Sequence, residues 1–244
     1  HDVPVEWKDA ALIARQREAA HTRPEMNDRP STFGLNAFYG HQRVLQDYCR
    51  LPMSLPINGQ IQHGWTPEGY HAVIGQDNDE NVFIWAPKYA PVGHPRTHII
   101  GAPYLYLPEE NDARVAFPAG LLAVPSHGIA RHPMAHPWNE YAEWLRDEAK
   151  KKSLSPVTVC LHPADHREES AQIFESVGVR VVSPGATTDA SYLHRFRSFV
   201  RQHGWMTSNR VGTPVFYALH ERRTFFTGGP LMGTEPPDRG EELT

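Results

Sequence analysis

Cysteine is scarce in this chain, and long apolar runs and a strong charge bias are missing. Cys49 and Cys160 are the only cysteines among 244 residues, and we expect both to be reduced thiols in a cytoplasmic protein. No apolar run approaches the roughly 20 residues that cross a bilayer, and we find no signal-peptide pattern. A formal net charge of -4 gives no general attraction to nucleic acid, so we expect no nucleic-acid partner.

Standard nucleotide and metal motifs are also missing. The sequence has neither the G-x-x-x-x-G-K-[ST] phosphate loop nor the G-x-G-x-x-G fingerprint. A P-loop nucleotidase and a standard NAD enzyme are therefore not supported, and we expect no cofactor. The H-E-x-x-H zinc motif is absent as well.

The second half of the chain contains a regular alternation of short apolar runs and helical patterns. This alternation predicts an α/β fold with a parallel sheet and right-handed crossovers. The predicted strands are 121–124, 157–161, 179–182, 205–207 and 224–227, and the predicted helices are 138–152, 168–177, 190–202 and 213–219. We expect Asp165 to cap the second of these helices, with Glu168 completing a capping box, and Gly178 to close it.

The first half is less regular. It predicts helices over 5–20 and 35–50, and short strands over 60–62, 81–85 and 97–100 that break at Gly or Pro. The charged, proline-bounded stretch 109–118 is the candidate linker. We therefore predict two Rossmann-like domains, residues 1–117 and 118–244, with parallel sheets facing a central cleft.

Polar residues follow nearly every predicted strand. Since the carboxyl ends of parallel strands share one edge of a sheet, we expect these residues to meet there. They are Ser126, His127, His162, Ser183, Ser208 and Asn209, and in the first half His63. The stretch from Ser208 to Thr213 adds Gly212 and a helix start whose free N–H groups favour an anion, with Arg210 as a nearby charge.

Simpler interpretations stay open for each residue. Ser208 to Thr213 is also consistent with a capped helix start that binds nothing, His162 with a structural histidine, and His63 with a turn residue. The 15 histidines also raise the question of a metal site: His127, His132 and His136 lie close together, and His94 and His98 are four apart. Prolines at 95, 133 and 137 disrupt a helix through these pairs, so we expect no metal.

The order of these short motifs resembles bacterial transferases of the GT-B fold. The motifs are His63-Gly64, Gly101-Ala102-Pro103, Pro125-Ser126-His127, Leu161-His162-Pro163, and Thr207 to Tyr217 followed by Thr224-Phe-Phe. Within that fold, the order is most similar to enzymes with cytidine-nucleotide donors: CDP-glycerol glycerophosphotransferases and the capsule or lipopolysaccharide sialyl- and Kdo-transferases. The chain departs from them at Gly212-Thr213, where a Ser-Ser or Ser-Thr pair is usual, and it has no acidic residue beside His63-Gly64.

The resemblance implies a glycosyltransferase or glycerophosphotransferase that moves a sugar or polyol phosphate from a CMP- or CDP-linked donor to a surface-polysaccharide acceptor. It implies that His162, Ser208 and Thr213 bind the donor nucleotide or its phosphate, and it suggests His63 as the base. The expected partners are a nucleotide-activated donor and a glycan or lipid-linked acceptor. The latter would bring a cytoplasmic protein to the inner face of the membrane as a peripheral protein.

Two other classes of function compete with this one. A histidine-rich, metal-assisted hydrolase would contain tightly bound zinc and lose activity with a chelator. A catalytically silent relative would bind a nucleotide or glycan without turnover.

Overall fold

We analysed a computed structural model of the chain, which describes residues 36–65, 80–109, 118–127, 134–135, 137–231 and 233–234. The predicted helix over 5–20, most of the linker, His132, His136 and the C-terminal tail lie outside these ranges. Within them, no helix is both long and apolar enough to cross a membrane.

The larger sheet has five parallel strands: β4 (Leu121–Ala123), β6 (Val157–Cys160), β7 (Arg180–Val182), β8 (Trp205–Ser208) and β9 (Thr224–Thr227). Their order across the sheet is β7-β6-β4-β8-β9. Numbered from β4 along the chain, this order is 3-2-1-4-5, which is compatible with a Rossmann-like sheet. The alternation of strands and helices predicted from the sequence is confirmed.

Four helices connect these strands and cover the sheet. They are α2 (Trp138–Lys151), α3 (Glu168–Ser176), α4 (Tyr192–Gln202) and α5 (Thr213–His220). Leu121, Ala123 and Val159 pack with α2 and α3 in one apolar cluster, while Leu122 and Met206 pack with α4 and α5 in another. Both faces of the sheet are thus buried, as is usual for parallel sheets.

The two ends of α3 differ in how well the sequence predicted them. Gly178 has φ +79°, and hydrogen bonds from its amide to Glu175 and from Val179 to Phe174 close the helix. This is the expected glycine C-terminal motif. The predicted capping box at Asp165 is wrong: the cap is Arg167, because Asp165 is held in a turn by a bond from its amide to the carbonyl of His162.

The smaller sheet has three parallel strands in the order β1-β2-β3, which are β1 (Gln60–Ile61), β2 (Val82–Ile84) and β3 (Thr97–Ile99). The buried Asn36 side chain anchors β1, since its amide donates to Gly59 and its oxygen accepts from the Ile61 amide. The segment before the first helix is thereby fixed beside this sheet.

The predicted helix over 35–50 is shorter than expected. Helix α1 covers only His41–Tyr48, after a 3-10 turn at Phe38–Gly40. Tyr39 and Gly40 have positive φ values of 57° and 73°. A Cβ on Gly40 would lie 2.5 Å from the Ala190 carbonyl oxygen, so the close approach of α1 to the loop before α4 requires glycine.

An additional antiparallel pair was not predicted. It joins β5 (Met134–Ala135) to β10 (Gly233–Thr234). Two-residue strands are too short to show an alternating sequence pattern.

Candidate functional site

The carboxyl edges of the two sheets meet at Gly64 and Thr213. The Trp65 amide donates to Oγ1 of Thr213 at 2.9 Å, and a Cβ on Gly64 would lie 3.3 Å from the same oxygen. Gln62, fully buried, holds this loop by donating to the Gly64 carbonyl and accepting from the Trp85 amide. The absence of a side chain at Gly64 therefore allows the close approach of Thr213.

Strands β4 and β8 are the neighbours between which the order of the larger sheet reverses. At their carboxyl ends the Ser126 amide donates to Oδ1 of Asn209 at 2.8 Å, and Nδ2 of Asn209 donates to the Pro230 carbonyl. The Oγ atom of Ser126 is buried without a hydrogen-bond partner among the described residues. In open α/β sheets this is the position at which ligands bind.

His127 and His162, which follow β4 and β6, lie against each other. Their rings are stacked with centroids 3.7 Å apart and an angle of 7° between planes. The Tyr39 hydroxyl lies 3.4 Å from Nε2 of His162. The Tyr39 ring also packs against His63 at 4.7 Å, so one tyrosine joins the histidines of both sheets.

The hydrogen bonds of His162 fix its tautomer. The Ala164 amide donates to Nδ1 at 3.2 Å, so Nδ1 is an acceptor and carries no proton. A neutral ring then carries its proton on Nε2, which donates to the Tyr39 hydroxyl oxygen. His162 is therefore arranged as a hydrogen-bond donor rather than as a base.

His41 and His63 form the deeper part of the site. Their ring centroids are 6.3 Å apart, and His41 also contacts the ring of Trp85. Only 1% of the His41 surface is exposed, yet neither of its ring nitrogens has a partner among the described residues, and the same is true of Nδ1 of His63. An unsatisfied buried polar atom costs about 1–3 kcal/mol, which marks these atoms as candidates for contact with a ligand or water.

Burial keeps these imidazoles neutral. It lowers the pKa of His41 to about 3, with a further contribution from His63. Burial and the charge of His127 lower the pKa of His63 to about 4, and burial followed by His127 and His63 places the pKa of His162 well below its ordinary value. His41, His63 and His162 are thus neutral hydrogen-bonding rings near neutral pH.

The hydroxyls at the predicted phosphate site at the start of α5 accept hydrogen bonds from backbone amides, which leaves the O–H of each hydroxyl as a donor. The Arg210 amide donates to Oγ of Ser208, which is 3% exposed, and Thr213 accepts from Trp65. Gly212 is the extended N-cap of α5, and Pro214 lies in the first turn as predicted. Of the predicted site residues, Ser126 and His63 have a buried side-chain atom, Oγ and Nδ1 respectively, without a partner among the described residues.

The other histidine pair considered for a metal does not form a metal site. His94 Nδ1 lies 3.2 Å from Thr97 Oγ1, whereas His98 stacks on Phe83 and contacts Asn81. Among the described residues no group of three or more His, Cys, Asp or Glu side chains is arranged to hold a metal ion.

Tyr39 and His41 belong to the cluster but were not among the predicted site residues. Both lie in the stretch interpreted as one regular helix, in which a tyrosine and a histidine appear as packing residues. The signal available was Gly40, a glycine inside a helical pattern and directly between them.

Comparison of the chain with family models, curated proteins and solved structures finds no match. The resemblance to cytidine-nucleotide transferases therefore remains a prediction.

Proposed function

We propose that this protein is a transferase of the GT-B type that moves a sugar or polyol phosphate from a nucleotide donor to a glycan or lipid-linked acceptor. The observation that carries the proposal is the convergence of His63, His127 and His162 at the carboxyl edges of two parallel sheets. Ligands of open α/β sheets bind at this edge.

Each residue has a role that follows from its hydrogen bonds. His63, a neutral ring with an unsatisfied nitrogen, accepts the proton of the attacking acceptor hydroxyl. The Ser126 hydroxyl donates to the donor nucleotide or its phosphate, and His162 donates from Nε2 when a ligand oxygen replaces the Tyr39 hydroxyl as its acceptor. These donors stabilise the negative charge that grows on the leaving nucleotide.

The arrangement of the two sheets as separate domains around a cleft is part of the proposal. The cleft would exclude water and favour the acceptor over hydrolysis. The direct bond between Trp65 and Thr213 supports a close approach of the two sheets at this point.

A thermal-shift screen against CMP, CDP, UDP and GDP tests the proposal. We expect CMP or CDP to raise the melting temperature selectively and His162→Ala to abolish the shift. The matched control is His98→Gln, because His98 is an exposed imidazole on β3 away from the cluster. Equal responses to all four nucleotides, or a full response in His162→Ala, would contradict the proposed donor site.

A catalytically silent binding protein is the second candidate. It is favoured by the low pKa of His63, about 4, because such a weak base accepts a proton poorly. Binding of CMP without turnover of any CMP-linked or CDP-linked donor would select this candidate.

A further inference from the structure

An aromatic pair with a lysine lies beside His63, at the point where the two sheets meet. The rings of Trp65 and Phe216 are 4.9 Å apart and meet edge to face at an angle of 60°. The Lys88 ammonium lies over the Trp65 ring, 5.4 Å from its centroid. Phe216 is 41% exposed although its side chain is large and apolar, and Lys88 is exposed as well. Trp65 and Lys88 follow strands of the smaller sheet and Phe216 lies on α5, so both sheets contribute to this surface.

Trp65 is fixed by contacts to both sheets. Its backbone amide donates to Oγ1 of Thr213, and its ring contacts Phe216, three residues further along the same face of α5. The Trp65 side chain also packs against the buried cluster of the smaller sheet, which is Val82, Ile84 and Tyr89. A side chain held in this way loses little conformational freedom when a ligand binds, which favours affinity.

We propose that Trp65, Phe216 and Lys88 form the acceptor subsite, and that the acceptor is a sugar that carries a phosphate or a carboxylate. The C–H face of a sugar ring packs against the aromatic pair, and the Lys88 ammonium pairs with the anion. This inference rests on the proposed function and deepens it, because it names the class of acceptor. The anion is paired with Lys88 rather than with an imidazole, so His63 remains the neutral base.

The position of the aromatic pair favours the acceptor over the donor. Trp65 is two residues after His63, so their Cα atoms are at most about 7 Å apart. A sugar bound against Trp65 therefore brings one of its hydroxyls, or a hydroxyl of the next unit in a glycan, within reach of the proposed base. Ser126 and His162, the proposed donor-binding residues, follow strands of the larger sheet, and the donor thus has a separate position at the same edge.

NMR titration of the full chain with four small probes tests the inference. Glucose 6-phosphate and glucuronate have a sugar ring and an anion, glucose has only the ring, and glycerol 3-phosphate has only the anion. We expect the indole N–H signal of Trp65 to shift, and one of the two acidic sugars to bind at least about tenfold more tightly than glucose or glycerol 3-phosphate. The acidic sugar that binds more tightly identifies the anion of the acceptor. Equal affinities for all four probes, or shifts confined to other tryptophans, would overturn the inference.

Two variants with matched controls locate the contacts. Lys88→Gln should lower the affinity for the preferred acidic sugar about tenfold and leave that for glucose unchanged, because it removes only the charge. Its control is Lys150→Gln, which replaces an exposed lysine on α2. Phe216→Ala should weaken the binding of both sugars about fivefold, whereas Leu219→Ala, at a more exposed position of the same helix, should weaken neither. Equal effects of each variant and its control would overturn the inference.

The nucleotide screen separates this inference from the proposed donor. Sugar binding that depends on Phe216 and Lys88, without a selective response to CMP or CDP, would sustain the acceptor subsite and contradict the cytidine donor. A selective response to CMP or CDP, with no acidic sugar bound at Trp65, would sustain the donor and overturn the acceptor subsite.

Discussion

Two buried histidines at opposite ends of the larger sheet, His203 and His41, differ in whether their ring nitrogens have hydrogen-bond partners. His203, near the amino ends of the strands, has a partner for each ring nitrogen: the Phe199 carbonyl at 2.8 Å and Thr158 Oγ1 at 2.9 Å. At the carboxyl edge, His41 has none among the described residues, although it is at least as buried. Full satisfaction is typical of a structural histidine, and its absence indicates a site that is completed by something other than the described residues.

The largest expected effect is on the transfer rate and tests the role of His63 at the carboxyl edge. His63→Gln should lower the transfer rate by about 10²–10⁴-fold, because loss of a positioned base costs a rate of this order. Initial rates with the donor identified by the nucleotide screen measure it, with His98→Gln as the control. A transfer rate within about threefold of the wild-type rate would show that His63 is not the catalytic base.

The structural side of the comparison is tested by His203→Ala. Its removal leaves the Thr158 hydroxyl and the Phe199 carbonyl without their partner, and we expect the free energy of unfolding to fall by about 2–3 kcal/mol. Urea unfolding measures the loss, and CMP binding at a permissive temperature should be unchanged. A variant of wild-type stability would show that this fully bonded histidine contributes nothing.

A pH series tests the burial of His41 through its protonation. Burial lowers the pKa of His41 to about 3, so below the ordinary value of 6.5 the unfolded chain binds a proton that the folded chain does not. The contribution of His41 to stability is complete above pH 6.5 and is lost as the pH falls toward 3, at about 1.4 kcal/mol per pH unit. Urea unfolding of wild type and His41→Phe at pH 7.5 and 5.5 should show a shallower slope in the variant, and equal slopes would contradict it.

At neutral pH, the same His41→Phe variant tests whether His41 serves stability or ligand binding. Replacing an unsatisfied imidazole by an apolar ring removes a desolvation cost, so we expect the free energy of unfolding to stay within about 1 kcal/mol of wild type or to rise. CMP should nevertheless bind more weakly, since His41 contacts His63 and Tyr39. A loss of stability like that of His203→Ala would make His41 a structural residue.

The smallest effect concerns the bond between the two sheets. Thr213→Val removes the acceptor of the Trp65 amide, and we expect a loss of about 1 kcal/mol, whereas Thr213→Ser keeps the hydroxyl and should lose less. Urea unfolding of both variants measures the difference. Equal stabilities would show that this bond does not contribute.

The sequence predicted the larger sheet well because each strand and helix carries its own periodicity and its own stop signal. Gly178 is an example, since the left-handed conformation that closes α3 is a local property of glycine. The placement of His127 and His162 at one edge also followed, because parallel strands bring their carboxyl ends together. That rule predicts where His127 and His162 lie, but it does not predict their function.

Contacts between distant segments were not predictable in the same way. The break at Gly40 depends on the Ala190 carbonyl, 150 positions further along the chain, so no local pattern reports it. Thr213 was predicted to bind phosphate, and its oxygen also accepts a hydrogen bond from the Trp65 amide, a bond visible only once both sheets are placed. Tyr39 was missed for the same reason, because its partners His63 and His162 come from the two separate sheets.

A crystal structure of the protein with CMP would test the central claim most directly. We predict phosphate density within hydrogen-bonding distance of His63, His127 or His162, with the Ser126 hydroxyl turned toward the ligand. Density for CMP on another surface, or an unchanged imidazole cluster at saturating CMP, would contradict the assignment of this edge as the ligand site.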